Sequence, residues 1–137
     1  MPTLPEKIAP ATRIANPGCY PSAVLPAIAP LLAGKLISPE GIIADAKSGV
    51  SGAGRGGGST FGFAEVNEDV SAYGLIKHAH LPEMNTALSK ISSQEISMVF
   101  TAHLIPMTRG ILATCYARGT ANTAECMEAA NKFYADR

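Results

Sequence analysis

Fifteen residues, Ser48 to Gly62, contain seven glycines and four Ser or Thr residues. No packed helix or strand tolerates glycine at that density, because each glycine loses more backbone freedom on ordering than any other residue. The stretch therefore reads as a loop that splits the chain. It either brings backbone N–H groups close to a ligand or serves as a flexible linker. It lacks the Gly-Lys-Ser/Thr of a P-loop, and no ribose-binding acid follows it as in a dinucleotide fingerprint.

Before the loop, Arg13-Ile14-Ala15 leads into Asn16-Pro17-Gly18-Cys19-Tyr20-Pro21. Pro17 and Gly18 form a turn, and Pro21 suits a helix start, where a missing N–H costs nothing. Val24, Leu25, Ile28, Leu31 and Leu32 follow at helical spacing up to Ala33. Gly34 suits the C′ position. Pro26 and Pro30 lie inside this helix and predict a kink or an early end. Cys19 falls at the helix N-terminus, where unpaired N–H groups and the dipole favour thiolate, the attacking form. Equally, a lone cysteine is often a small buried apolar residue.

Gly41 to Lys47 predicts a buried strand. After the loop, Ala64 to Ala72 is acidic and weakly patterned. Tyr73 to His80 reads as extended, with His78 and His80 on one face by the two-residue period. Pro82-Glu83 opens a helix to about Ile91. Glu95–Leu104 and Ile111–Arg118 are strand-like, separated by a turn at Pro106–Gly110. They form either an antiparallel hairpin or one strand broken at the proline. Asn122 and Glu125 predict a capping box, and a helix follows to Tyr134. The order predicts an α+β fold, a mixed sheet covered by helices.

The 137 residues suffice for one domain. Eleven basic and eleven acidic side chains leave no net charge, so nothing in the electrostatics attracts nucleic acid or an anionic membrane. The longest apolar run, Ala23 to Ala33, is too short to span a bilayer. The three cysteines cannot all pair, and none shows zinc-site spacing, so no metal is expected and a reducing cytoplasm is the simplest setting.

Cys19, the serine-glycine loop, the His78-Ala79-His80 pair and His103 with Arg109 together suggest a thiol nucleophile with a histidine acid/base and an anion-binding arginine. Singly, each has an ordinary explanation: the histidines as surface or structural imidazoles, and Arg109 as a solvated turn residue.

Five motifs in order carry a resemblance: Asn16–Pro21, Ser48–Arg55, Phe63–Glu68, His78-Ala79-His80-Leu81-Pro82-Glu83 and His103-Leu104-Ile105-Pro106-Met107-Thr108-Arg109-Gly110. From about Arg13 to Arg118 the chain resembles the N-acetyl-γ-glutamyl-phosphate reductase family of arginine biosynthesis, related to aspartate-semialdehyde dehydrogenase. The resemblance implies that Cys19 attacks an acyl phosphate to give a thioester, which NADPH reduces to the semialdehyde. It implies His80 as acid/base, Arg109 and His103 near the substrate, and Ser51, Gly52 and Gly54 against the cofactor. It also implies a homo-oligomer. The family's Rossmann domain is absent from this chain, so residues 1–137 look like one truncated catalytic and dimerisation domain that binds little NADP(H) alone. The family's usual His-Arg-His is His-Ala-His here. Two alternatives stand beside this one: an N-acetyl-aminoadipyl-phosphate reductase of lysine biosynthesis, and a non-catalytic dimerisation module.

Overall fold

A computed structural model describes residues 8–54 and 62–135. Residues 55–61, the centre of the glycine-rich stretch, lie outside the described residues, as does the proline-rich start. The elements run α1 (Cys19–Ala33), β1 (Ile43–Ser48), a 3-10 turn (Val50–Ala53), α2 (Phe63–Val66), β2 (Ser71–Tyr73), α3 (Leu81–Ser92), β3 (Val99–Leu104), β4 (Ile111–Tyr116) and α4 (Thr123–Tyr134). The strands form one mixed sheet in the order β2-β3-β1-β4. This is the expected α+β architecture.

Neither expected arrangement of the last two strands holds. β1 lies between them, parallel to β3 and antiparallel to β4. The parallel pair needs a crossover, and the segment from the 3-10 turn through α3 supplies it. Nor is Tyr73 to His80 a strand. β2 stops at Tyr73, and the chain then turns through Gly74 and Ile76, both at positive φ. His80 is already in the helical region as the N-cap of α3.

Strand alternation sets two faces. Ala44, Ala46, Phe100, Ala102 and Leu104 point to the buried face. There the i, i+4 stripe Tyr20, Val24, Ile28 and Leu32 of α1 meets Met84 and Leu88 of α3. Full burial of a side chain such as Leu88 contributes about 2 kcal/mol. The alanines leave little height on the sheet, so the helices supply the bulk. The opposite face is open. Val99, Ile43 and Tyr116 stand side by side across three strands and are all exposed.

α1 runs continuously through both internal prolines. Pro30 cannot donate to the Pro26 carbonyl, so that oxygen is free for another donor. It accepts from Tyr134 Oη of α4 at 2.9 Å. Gly34 ends the helix in the right-handed region, and Lys35 takes the left-handed conformation instead. A Cβ on Gly34 would lie 3.6 Å from Ala129 Cβ, an ordinary contact distance, so α4 packs directly on the end of α1. The capping box forms as expected: Asn122 Oδ1 accepts from Glu125 N–H at 3.0 Å, and Glu125 Oε2 accepts from Asn122 N–H at 2.8 Å.

Candidate active site

Cys19 is the first residue of α1 and is exposed. Among the described residues no side chain caps this helix start, which leaves its first N–H groups without a side-chain acceptor. Gly18, the N-cap, is held from three directions. Ser22 Oγ donates to its carbonyl at 2.9 Å. Its N–H donates to the Glu83 carboxylate, at 3.2 and 3.4 Å from the two oxygens. The His80 ring lies against its Cα so closely that a Cβ there would fall 2.4 Å from Nε2. A side chain at 18 would have to displace that ring, although the backbone φ of −64° suits any residue.

Cys19 and His80 border one cavity of about 250 Å³. Ser48 at the end of β1, Gly52 and Ala53 of the 3-10 turn, and His78 also line it. Two larger cavities contain no cysteine or histidine among their described lining residues. His80 Nδ1 is buried, and among the described residues it has no partner and no carboxylate backs this imidazole. Its backbone N–H donates to His78 Nδ1 at 3.2 Å.

Beneath the cysteine, Tyr20 and Tyr73 share a hydrogen bond between their hydroxyls at 2.6 Å. Burial is the main reason that both phenols hold their protons above the ordinary range, Tyr20 far above it. They form a neutral polar floor, not a proton source near neutral pH.

Ser51, Gly52 and Gly54 lie on and just after the 3-10 turn and are exposed, and of the three Gly52 lines the cavity. Gly54 has φ +67°, and a Cβ there would meet nothing within 4 Å among the described residues. The turn is closed by the Gly54 N–H, which donates to the Ser51 carbonyl at 3.1 Å. The 106–110 turn clasps it: Gly49, Val50 and Ser51 N–H donate to the carbonyls of Gly110, Met107 and Thr108 at 2.9–3.0 Å. Arg109 is thereby placed beside the serine-glycine loop with an exposed side chain.

His103 is not brought to Cys19. It sits on the open face of the sheet, while its neighbour Leu104 points to the cavity. Its Nδ1 lies 3.3 Å from the Ala46 carbonyl and 3.1 Å from Asp45 Oδ1. Lys47 donates to Asp45 Oδ2 at 2.5 Å, and this bond chiefly holds the Asp45 carboxyl below its usual range.

Sequence reasoning missed Glu83, Tyr20 and Tyr73 as parts of this site. Tyr20 was detectable as the first residue of the α1 stripe, since a buried tyrosine needs a partner for its hydroxyl. Glu83 looked like an ordinary first-turn acid. The other cysteines are no rivals to Cys19: both are partly buried, and burial pushes the Cys115 thiol up.

Residues 19–137 match the family described as semialdehyde dehydrogenase, dimerisation domain. The chain is 60% identical over 134 residues to a protein of Bradyrhizobium sp. (strain ORS 278) named N-acetyl-gamma-glutamyl-phosphate reductase, covering 97% of this chain and 41% of that protein. A Methylobacterium protein of the same name is 56% identical, with 97% of this chain and 42% of the relative covered. One from Moorella thermoacetica is 48% identical, with 95% and 38% covered. The chain thus spans about two fifths of the length of these relatives. With its mixed sheet and the cysteine at the start of the matched region, the chain belongs to the semialdehyde dehydrogenase dimerisation-domain family, a family of oxidoreductases.

Proposed function

We propose that this chain is the catalytic and dimerisation part of an acyl-phosphate reductase. Its reaction is conversion of N-acetyl-γ-glutamyl phosphate to N-acetylglutamate semialdehyde and phosphate in arginine biosynthesis, in the cytoplasm. The names of the relatives support the substrate. The observation that carries the chemistry is Cys19, exposed at an uncapped helix start, on a cavity shared with a histidine packed against the preceding glycine.

Cys19 Sγ attacks the acyl carbon, phosphate leaves, and a thioester remains on the cysteine. The Cys19 N–H, free at the helix start, holds the oxygen that becomes negative. His80 accepts the thiol proton and later protonates the oxyanion. Ser51, Gly52 and Gly54 seat the nicotinamide and phosphate end of NADP(H), whose other contacts belong to a cofactor domain outside this chain. When bound, NADPH supplies the hydride that reduces the acyl group. Arg109, on the turn clasped to the cofactor loop, contacts an anionic group of the substrate. His103, on the opposite face of the sheet, is set apart from Cys19 among the described residues. We assign its substrate role to the site of a second copy packed on that face.

The family description supports pairing of two copies. The open sheet face is the natural place for it, because no described residue covers the exposed row Val99–Ile43–Tyr116.

The test of the nucleophile is the iodoacetamide rate of Cys19 near neutral pH, with Cys19→Ser as the control for the other thiols. A rate well above that of free cysteine is expected. A rate no faster than the free thiol overturns the assignment and leaves a packing or dimerisation role.

A further inference from the structure

The second histidine on the cavity, His78, is held more tightly than the acid/base candidate beside it. Four rings surround it: Tyr20, Phe100 and His80, with centroids 5.1–5.2 Å away, and Tyr73 at 5.7 Å. The Tyr20 and Phe100 contacts are near-perpendicular, at 86° and 82°, so the ring plane is fixed by edge-to-face packing. On a further side stands Gly74 at φ +58°, where a Cβ would fall 2.9 Å from His78 Cδ2. Only glycine suits both that backbone and that contact.

One hydrogen bond sets the tautomer. The His80 backbone N–H donates to His78 Nδ1 at 3.2 Å. A backbone N–H can only donate, so Nδ1 is the bare acceptor and the ring proton sits on Nε2. Burial, and then the neighbouring His80, lower the proton affinity of this ring below that of an ordinary histidine. Two imidazoles 5.1 Å apart also resist double protonation.

We propose that His78 is a further catalytic residue: a neutral, fixed Nε2–H donor to the oxygen of the acyl group that Cys19 attacks. The proposal rests on the reading of Cys19 as the nucleophile. In the step, the Sγ lone pair forms the S–C bond and the carbonyl π pair moves to oxygen. His78 Nε2–H and the Cys19 N–H hold that oxyanion by hydrogen bonds, without transferring a proton. The pair then returns to re-form the carbonyl, and the C–O bond to phosphorus breaks. Phosphate leaves with those electrons and the thioester remains. The two histidines divide the work: His80 moves protons, and His78 keeps its own.

Two reactions of this same chain separate oxyanion stabilisation from thiol reactivity. Acetyl phosphate acylates Cys19 through a tetrahedral oxyanion, whereas iodoacetamide alkylates it without one. His78→Phe keeps a ring in the cage and removes the donor, while His78→Gln restores a donor. The Phe variant is expected to lose about 10²-fold in acylation while alkylation stays within about twofold, and the Gln variant to recover part of the loss. Imidazole nitrogen NMR of the wild-type chain is expected to show His78 protonated at Nε2 alone between roughly pH 6 and 8. Unchanged acylation in the Phe variant overturns the proposal, as does a parallel fall in both reactions. A His78 protonated on Nδ1 also overturns it and leaves the nucleophile reading intact. Wild-type Cys19 that alkylates no faster than free cysteine fails the nucleophile reading, and this proposal with it.

Discussion

The carboxylate of Glu83 accepts the N–H of Gly18 across 65 residues of sequence, at 3.2 Å from one oxygen and 3.4 Å from the other. It ties the first turn of α3 to the residue before the cysteine, so the two histidines and the thiol are carried on elements joined at one point. Glu83→Ala leaves that N–H unpaired and is expected to cost about 1–3 kcal/mol in urea denaturation, as hydrogen bonds to charged groups do. It also slows Cys19 alkylation. Glu83→Gln keeps a carbonyl acceptor and recovers most of both effects. A Gln variant as impaired as Ala shows that charge, not acceptance, matters at this position.

Gly18→Ala places a methyl where the His80 ring now lies, 2.4 Å from Nε2. The backbone tolerates alanine, so the whole effect comes from moving the ring. Overpacking of this kind costs roughly 1–3 kcal/mol. The expected signature is a changed pH profile of Cys19 acylation and a shifted His80 imidazole signal. An alanine variant with an unmoved His80 signal contradicts the packing.

His78 links stability to pH. Burial, then His80, depress its proton affinity in the folded chain. The unfolded chain takes up the proton at about pH 6.5 while the folded chain stays neutral to lower pH. The contribution is therefore fully present above about pH 6.5 and is lost as pH falls toward the folded value. Denaturation midpoints between roughly pH 5 and 7.5 are expected to drop more in the wild type than in His78→Gln. Equal slopes count against a depressed His78.

How much of this was legible in the sequence depended on distance along the chain. The helix at Cys19 and the Asn122–Glu125 capping box are local patterns; the box formed as read, while the helix begins at Cys19, two residues before the start that Pro21 suggests. The register of β1 between β3 and β4 is set by pairing across the whole chain. The Pro106 turn, which looks like a hairpin, is occupied instead by clasping the serine-glycine loop. His78 and His80 do share a cavity, though through a turn at Gly74–Ile76 and not through strand period. His103 shows the limit most clearly. Alternation separates it from Leu104 but cannot say which of the two faces the helices.

Asn122→Ala removes the N-cap of α4 at an exposed position far from the cavity. A loss of about 1 kcal/mol is expected in thermal or urea unfolding, with the alkylation rate of Cys19 unchanged. A slower Cys19 reaction in this variant reveals coupling between α4 and the site.

The link between α4 and α1 lies instead in the prolines of α1. The carbonyl that Pro30 cannot satisfy is satisfied by Tyr134, 108 residues on from Pro26. Closing a loop of that length costs about 4 kcal/mol in chain entropy. The helix that carries the cysteine is thus completed by the last helix described, so its proline face takes its final form only where α1 and α4 have met.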